Sequence, residues 1–169
     1  GEVARNLAVN RYEDAREAAL RYRDIFGEEN FFLELQDHGL SIQKAVNQQL
    51  IRLSRETGIP LIATNDIHYT NPEDWEAHDL LLCLQTGKKA SDADRMRYEG
   101  GQYYLKSEEE MRSLFAAVPE ALENTAKIAA RCEVEIRFHE LKLPAYDVPA
   151  DYPDAESYLR ALSAEGFRA

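Results

Sequence analysis

The sequence predicts an α/β fold in which parallel βαβ units lead into a mainly helical extension. Three observations point that way. Helical and strand-like stretches alternate from about residue 11 to residue 87. The strand-like stretches are short and apolar, as in parallel sheets covered on both faces. Glycines stand where the helical periodicity stops. The 169 residues suffice for one domain with its own core, and 44% hydrophobic against 30% charged residues is the balance of an ordinary globular chain.

The elements follow in order. "NRYEDAREAALRYRDIFGEEN" carries Ala15, Ala18, Ala19, Tyr22, Ile25 and Phe26 at helical spacing, with Gly27 as its stop. "FFLELQDHG" alternates Phe31, Leu33 and Leu35 against Phe32 and Glu34, a short strand ending at a glycine turn. "SIQKAVNQQLIRLSRETG" is a second helix, capped by Ser41, closed by Gly58, with Ile42, Val46, Leu50 and Leu53 on its inner face. "PLIATN" is apolar enough to be a central parallel strand. Asn71 and Pro72 open a third helix as N-cap and first turn, Ala77, Leu80, Leu81 and Leu84 form its buried stripe, and Gly87 ends it. "KKASDADRMRYEGGQ" reads as a surface loop. A brief strand at "YYLK" precedes a helix capped by Ser107, whose acidic first turn suits the helix dipole. Pro119 begins another helix, with Ala121, Leu122, Thr125, Ile128 and Ala129 available for packing, and the three prolines of "LKLPAYDVPADYPDA" mark an extended connector before a last helix in "AESYLRALSAEGFRA".

The net charge of −11, from 31 acidic and 20 basic residues, argues against a chain that grips a nucleic-acid backbone by itself, though not against an acidic module of a larger nucleic-acid enzyme. Cys83 and Cys132 are far apart and read as two free, buried thiols in a reducing cytosol. No apolar run has the length of a membrane span.

Chemistry gathers at "TNDIHY". In extended backbone, residues two apart point the same way, so Asp66 and His68 can aim at one point beyond the end of their strand, the edge where parallel sheets place their ligands. His38, at the end of the preceding strand, would lie on the same rim. Two imidazoles and a carboxylate suit zinc, manganese or iron. The plainer reading stands beside it: Asp66 caps a turn, His68 is a surface histidine and His38 a turn residue. His78 on the third helix and His139 in "RFHELKLP" read as structural, and Glu108, Glu109 and Glu110 as a helix start rather than a metal cluster.

"PLIATNDIHYTNPEDWEAHDLLLCLQTGK", preceded by "FFLELQDHG" and followed by "YYLKSEEEMRSLFAAVPEALENTAKIAARCEVEI", resembles the bacterial replicative polymerase family of DNA polymerase III alpha subunits. The resemblance runs through nearly the whole chain in order. It falls on the second half of the N-terminal PHP (polymerase and histidinol phosphatase) domain and the lead-in to the palm. It implies part of a distorted seven-stranded α/β barrel. Residues 1–106 would be the C-terminal part of the PHP domain, 107–143 a helical extension with a closing strand, and 144–169 a proline-rich connector and first helix toward the palm.

The family's last metal motif, an Asp and a His two apart at a strand end, matches Asp66 and His68, which the resemblance makes ligands of a zinc or manganese site of the metal-dependent phosphoesterase type, linked in some members to a 3′–5′ proofreading exonuclease. His38 falls near that site without matching a family ligand. The family's H-x-H motif is expected upstream of Gly1, and the polymerase aspartates with their magnesium downstream of Ala169, so the isolated chain is expected to be inactive. The implied setting is cytoplasmic chromosomal DNA replication, with DNA, a proofreading exonuclease subunit and other replicase subunits as partners and no membrane. A cut barrel exposes apolar edges, so self-association is expected. Two other readings stand: a non-catalytic PHP scaffold that docks the proofreading subunit, and a stand-alone PHP phosphatase, against which the Tyr103–Ile136 extension counts.

Overall fold

A computed structural model describes residues 1–142 and 144–168, which fall in two units, Gly1–Glu133 and Val134–Ala169. The first is built on one parallel pair of strands. β1 (Leu33–Leu35) lies beside β2 (Leu61–Ala63) in the register Leu33 to Leu61 and Leu35 to Ala63, joined through α3 (Ser41–Thr57). The alternation of Leu33, Glu34 and Leu35 is buried, exposed, buried, as a strand with one covered face requires. Ahead of β1 come α1 (Glu2–Ala8) and α2 (Tyr12–Phe26), and after β2 come α4 (Trp75–Thr86), α5 (Glu108–Leu114) and α6 (Pro119–Arg131).

The core forms where helices meet the strand pair. Leu7 of α1, Ala15 and Ala19 of α2, Val46, Leu50 and Leu53 of α3, both strands, Phe115, Val118 and Ala121 make one buried cluster. Small alanines on α2 let α1 and α3 approach it closely, while Ile25 and Phe26, expected on its inner face, are exposed at its end. Ile42 of α3 is exposed as well. Ser41 is the first helical residue rather than the cap: Leu40 occupies the cap position, and no side chain hydrogen-bonds there. Gly58 closes α3 at φ 73°, a left-handed conformation that costs glycine little.

The expected central place of β2 gives way to an edge served by side chains. On the side away from β1, the Asn124 amide donates to the Leu61 carbonyl (2.9 Å), the Ala63 amide donates to Thr125 Oγ1 (3.2 Å), and that hydroxyl donates to the Ala63 carbonyl (2.8 Å). α6 thus satisfies backbone groups that a further strand would otherwise take. Among the described residues the sheet has two strands. At "YYLK" a single parallel bridge, Tyr69 to Tyr104, replaces the strand expected there.

α4 departs most from expectation. Its N-terminus follows the sequence, with a 3-10 turn at Pro72–Asp74 and a reciprocal Asn71–Asp74 capping box. Its buried residues, however, are Leu82 and Cys83, and the stripe of Leu80, Leu81 and Leu84 is 55%, 61% and 79% exposed. Leu80 to Leu84 is apolar at every position and offers no single face, and a polar contact sets the inward side: Arg95 grips Asp79 with both guanidinium ends, at 2.6 and 2.5 Å. The guanidinium holds the Asp79 carboxyl below the usual carboxylate range.

α5 begins as the sequence requires, Ser107 and Glu110 capping each other reciprocally. Cys83 is buried, but Cys132, at the end of α6, is exposed; both are free thiols. In the second unit, α7 (Ala155–Arg168) starts at Asp154, whose carboxylate accepts the Ser157 amide (2.7 Å), and Tyr158 packs between Tyr146 and Tyr152. The closing strand expected in 107–143 does not form among the described residues: Val134, Ile136 and Phe138 are exposed and unpaired in any ladder. The boundary expected at residue 143 lies outside the described residues.

Candidate metal-ligating strand end

The site begins where β2 runs out of partner. The Thr64 amide still donates to the Leu35 carbonyl (3.1 Å), and then the chain turns. Asn65 is buried and fixes the turn on three sides. Its amide donates to the Tyr104 carbonyl, its side-chain oxygen accepts Lys106 Nζ (3.2 Å), and its backbone carbonyl faces His38 Nε2 (2.8 Å). Asp66 then adopts φ 44°, a left-handed conformation that aspartate tolerates better than most side chains. From His68 the chain is held again, its amide donating to the Tyr103 carbonyl (2.8 Å).

Asp66 and His68 do meet, though by a different geometry from an extended strand: the left-handed turn at Asp66 brings its Oδ1 to 3.4 Å from His68 Nε2. That separation is long for a hydrogen bond. It is close to the span of two donors each ~2.0–2.1 Å from one tetrahedral ion, about 3.3–3.4 Å. Both side chains reach solvent, 48% exposed for Asp66 and 28% for His68. One carboxylate oxygen and one imidazole nitrogen are donors that zinc or manganese accepts. Among the described residues no third His, Cys, Asp or Glu completes a set, so the chain supplies a pair and not a closed site.

His38 stands behind this pair. It is 1% exposed, and both ring nitrogens are engaged: the Gln43 amide donates to Nδ1 (2.9 Å), which leaves the proton on Nε2 to be donated to the Asn65 carbonyl. Its ring stacks on Tyr103 at 4.0 Å, and Tyr103 in turn presents its edge to His68 at 5.8 Å. His78 lies beside His68, the ring centroids 5.3 Å apart, and next to Tyr69 and Tyr98. Burial first, and then the neighbouring His68, lower the pKa of His78. His139 belongs to the second unit, in a turn at φ 67°.

Sequence reasoning passed over Asn65, Gln43, Tyr98, Tyr103 and Lys106. Asn65 carried a signal, being a polar residue at the end of an apolar run. Lys106 packs over the Tyr104 ring at 4.1 Å and bonds the Gln102 carbonyl, and burial lowers its pKa against the pull of Glu110 and Asp37.

No protein-family model matches the chain. Curated relatives do. The chain is 44% identical over 169 residues to the DNA polymerase III subunit alpha of Borreliella burgdorferi, covering 99% of this chain and 15% of that protein. The chain is homologous to a segment of the DNA polymerase III alpha subunit. The corresponding protein of Treponema pallidum is 43% identical over 98% of the chain, and that of Mycobacterium tuberculosis 40% identical over 99%. The chain spans 14–15% of the length of these relatives. The resemblance carried by "TNDIHY" and its flanks therefore extends through α5, α6 and α7.

Proposed function

We propose that this chain is a segment of a replicative DNA polymerase alpha subunit, acting in bacterial chromosomal DNA replication in the cytoplasm, and that its PHP-type region contributes half of a metal-dependent phosphoesterase site. The observation that carries the second part is the Asp66–His68 pair, held 3.4 Å apart at a strand end with both side chains reaching solvent. The parallel β1–α3–β2 unit supports a place in an α/β barrel whose remaining strands lie in further polypeptide. Asp66 Oδ1 and His68 Nε2 would hold a zinc or manganese ion. Such an ion polarises a phosphodiester and lowers the pKa of a bound water, the chemistry of a 3′–5′ exonuclease. The residues behind the pair keep it in place: Tyr103 anchors the His68 backbone, and Asn65 fixes the turn that aims Asp66.

The test is elemental analysis of this chain and of a longer chain extended upstream. Near-stoichiometric zinc or manganese is expected in the longer chain only. Asp66→Ala there is expected to cost more than the ~10–100-fold in metal affinity that loss of a mere supporting residue costs. An unchanged metal content would overturn the assignment. In that case a scaffold that docks a proofreading subunit becomes the better reading.

The exposed Leu80, Leu81 and Leu84 support self-association of the isolated chain. A second copy packed antiparallel along α4 would set Glu73 and Glu76 of one copy against Lys88 and Lys89 of the other, around a two-fold axis near Leu80 and Leu81. Light scattering is expected to show mass rising with concentration, and Leu81→Glu to abolish the rise. A strictly monomeric wild-type chain would refute it. No helix among the described residues is long and apolar enough to cross a membrane.

A further inference from the structure

Beside the Asp66–His68 pair lies a cleft of about 490 Å³, within the size range of small-ligand sites. Trp75, Asp79, Arg97, Tyr98, Glu99, Gly100 and Gly101 line it. Trp75 is the sole tryptophan of the chain, and it is 47% exposed at the first turn of α4. An indole offers a large flat apolar face on which another ring can stack. The Gly100–Gly101 turn forms one wall of the cleft. Both glycines have positive φ, 88° and 61°, which glycine adopts readily, and the Gly101 backbone lies beside the Trp75 indole.

Two features give the cleft a ligand class. The first is charge. Asp79 is already committed to Arg95, whereas the Arg97 guanidinium has only two 3.5 Å contacts, to the carbonyls of Ala90 and Asp92. It is the available cation of the lining. The second is continuity. Tyr98 lines the cleft and also packs on His68, the ring centroids 4.4 Å apart, and stands edge-on to Tyr103 at 4.9 Å. A flat aromatic ligand seated on Trp75 and Tyr98, with an anionic group toward Arg97, would therefore lie against the metal-ligating strand end. Aromatic platforms with a nearby arginine are how proteins hold single-stranded bases without reading their sequence.

We propose that this cleft is a nucleotide subsite, in which Trp75 and Tyr98 stack on a nucleobase and Arg97 meets its phosphate. The proposal rests on the phosphoesterase reading above for its substrate class, but the cleft binds its base without a metal. Because the chain as a whole is strongly acidic, the probe is thymidine monophosphate at low salt rather than long DNA.

Trp75 makes the test direct, since stacking quenches its fluorescence and no other tryptophan contributes. Saturable quenching by thymidine monophosphate is expected, undiminished in the presence of a chelator. Tyr98→Ala is expected to weaken it about tenfold. Arg97→Gln, at an exposed position with little part in folding, is expected to weaken the monophosphate and leave thymidine unchanged. Quenching that never saturates, ribose 5-phosphate that binds as well as the nucleotide, or an Arg97→Gln variant indistinguishable from wild type would each overturn the subsite. Circular dichroism shows whether Tyr98→Ala still folds, and Arg97→Gln decides the matter if it does not. Metal content measured on the same samples separates the two readings: quenching in a chain that never takes up metal, even when extended, retains the subsite and removes the phosphoesterase.

Discussion

Truncating Leu53 to alanine is expected to lower the unfolding free energy by about 3 kcal/mol, within the ~2–5 kcal/mol range for buried leucines. Leu53 is fully buried in the last turns of α3, in the cluster that joins α3 to both strands, Ile59 and Phe115. The position cannot collapse easily, because the next residues are pinned. The Ser54 hydroxyl donates to the Ile59 carbonyl (2.6 Å), the Thr57 hydroxyl donates to the Leu53 carbonyl (2.7 Å), and Gly58 reverses the chain directly into β2. A cavity there therefore persists, and the lost contacts add to the transfer cost. Urea unfolding followed by circular dichroism should show the midpoint falling by on the order of 1–3 M at unchanged slope. Leu84→Ala, at 79% exposure, is the control and should change stability by no more than ~0.5 kcal/mol at concentrations where the chain is monomeric. A loss under about 1 kcal/mol for Leu53→Ala would mean that the core is not centred on α3 and the strand pair.

Elements whose two faces differ were legible in the sequence. α3 shows this best: Val46, Leu50 and Leu53 recur at helical spacing and are the residues it buries. β1 alternates in sequence and in burial alike. The Ser107 cap and the glycine stops are local chemistry, decided within a few residues, and needed no tertiary information. α4 was not legible for the opposite reason. Leu80 to Leu84 is apolar at every position, so periodicity offered no face to choose. The choice was made sixteen residues away, where Arg95 enters a loop and pairs with Asp79. Likewise the edge of β2 is satisfied by Asn124 and Thr125, more than sixty residues downstream, which no local pattern announces.

The strand end was half legible. Residue types and spacing pick out Asp66 and His68, but the alternation rule assumes extended backbone, and the strand has ended at Ala63. The pair converges because Asp66 turns left-handed, with the buried Asn65 holding the turn against Tyr104 and Lys106. His38 was less legible still. At the end of β1, beside a glycine, it has the local character of a turn residue. What buries it is Gln43 at the start of α3, Asn65 at the end of β2, and Tyr103 far along the chain.

That burial separates support from ligation, and the separation can be measured. His38→Ala is expected to destabilise the chain by about 3 kcal/mol. The substitution leaves the buried Asn65 carbonyl without its donor, at a cost of about 1–3 kcal/mol, removes the acceptor of the half-buried Gln43 amide, and opens a void against Tyr103. Asp66→Asn should change stability by no more than ~0.5 kcal/mol, because the side chain is exposed and asparagine tolerates the left-handed turn. The two positions thus carry opposite signatures: His38 is costly to stability through its partners, and Asp66, proposed above as a metal ligand, is nearly silent in stability. Thermal or urea unfolding of the two variants beside wild type reads the contrast. A stable His38→Ala protein would put the imidazole back among the candidate ligands. A strongly destabilised Asp66→Asn protein would make that carboxylate part of the scaffold, and the strand end would then be a turn with a histidine beside it.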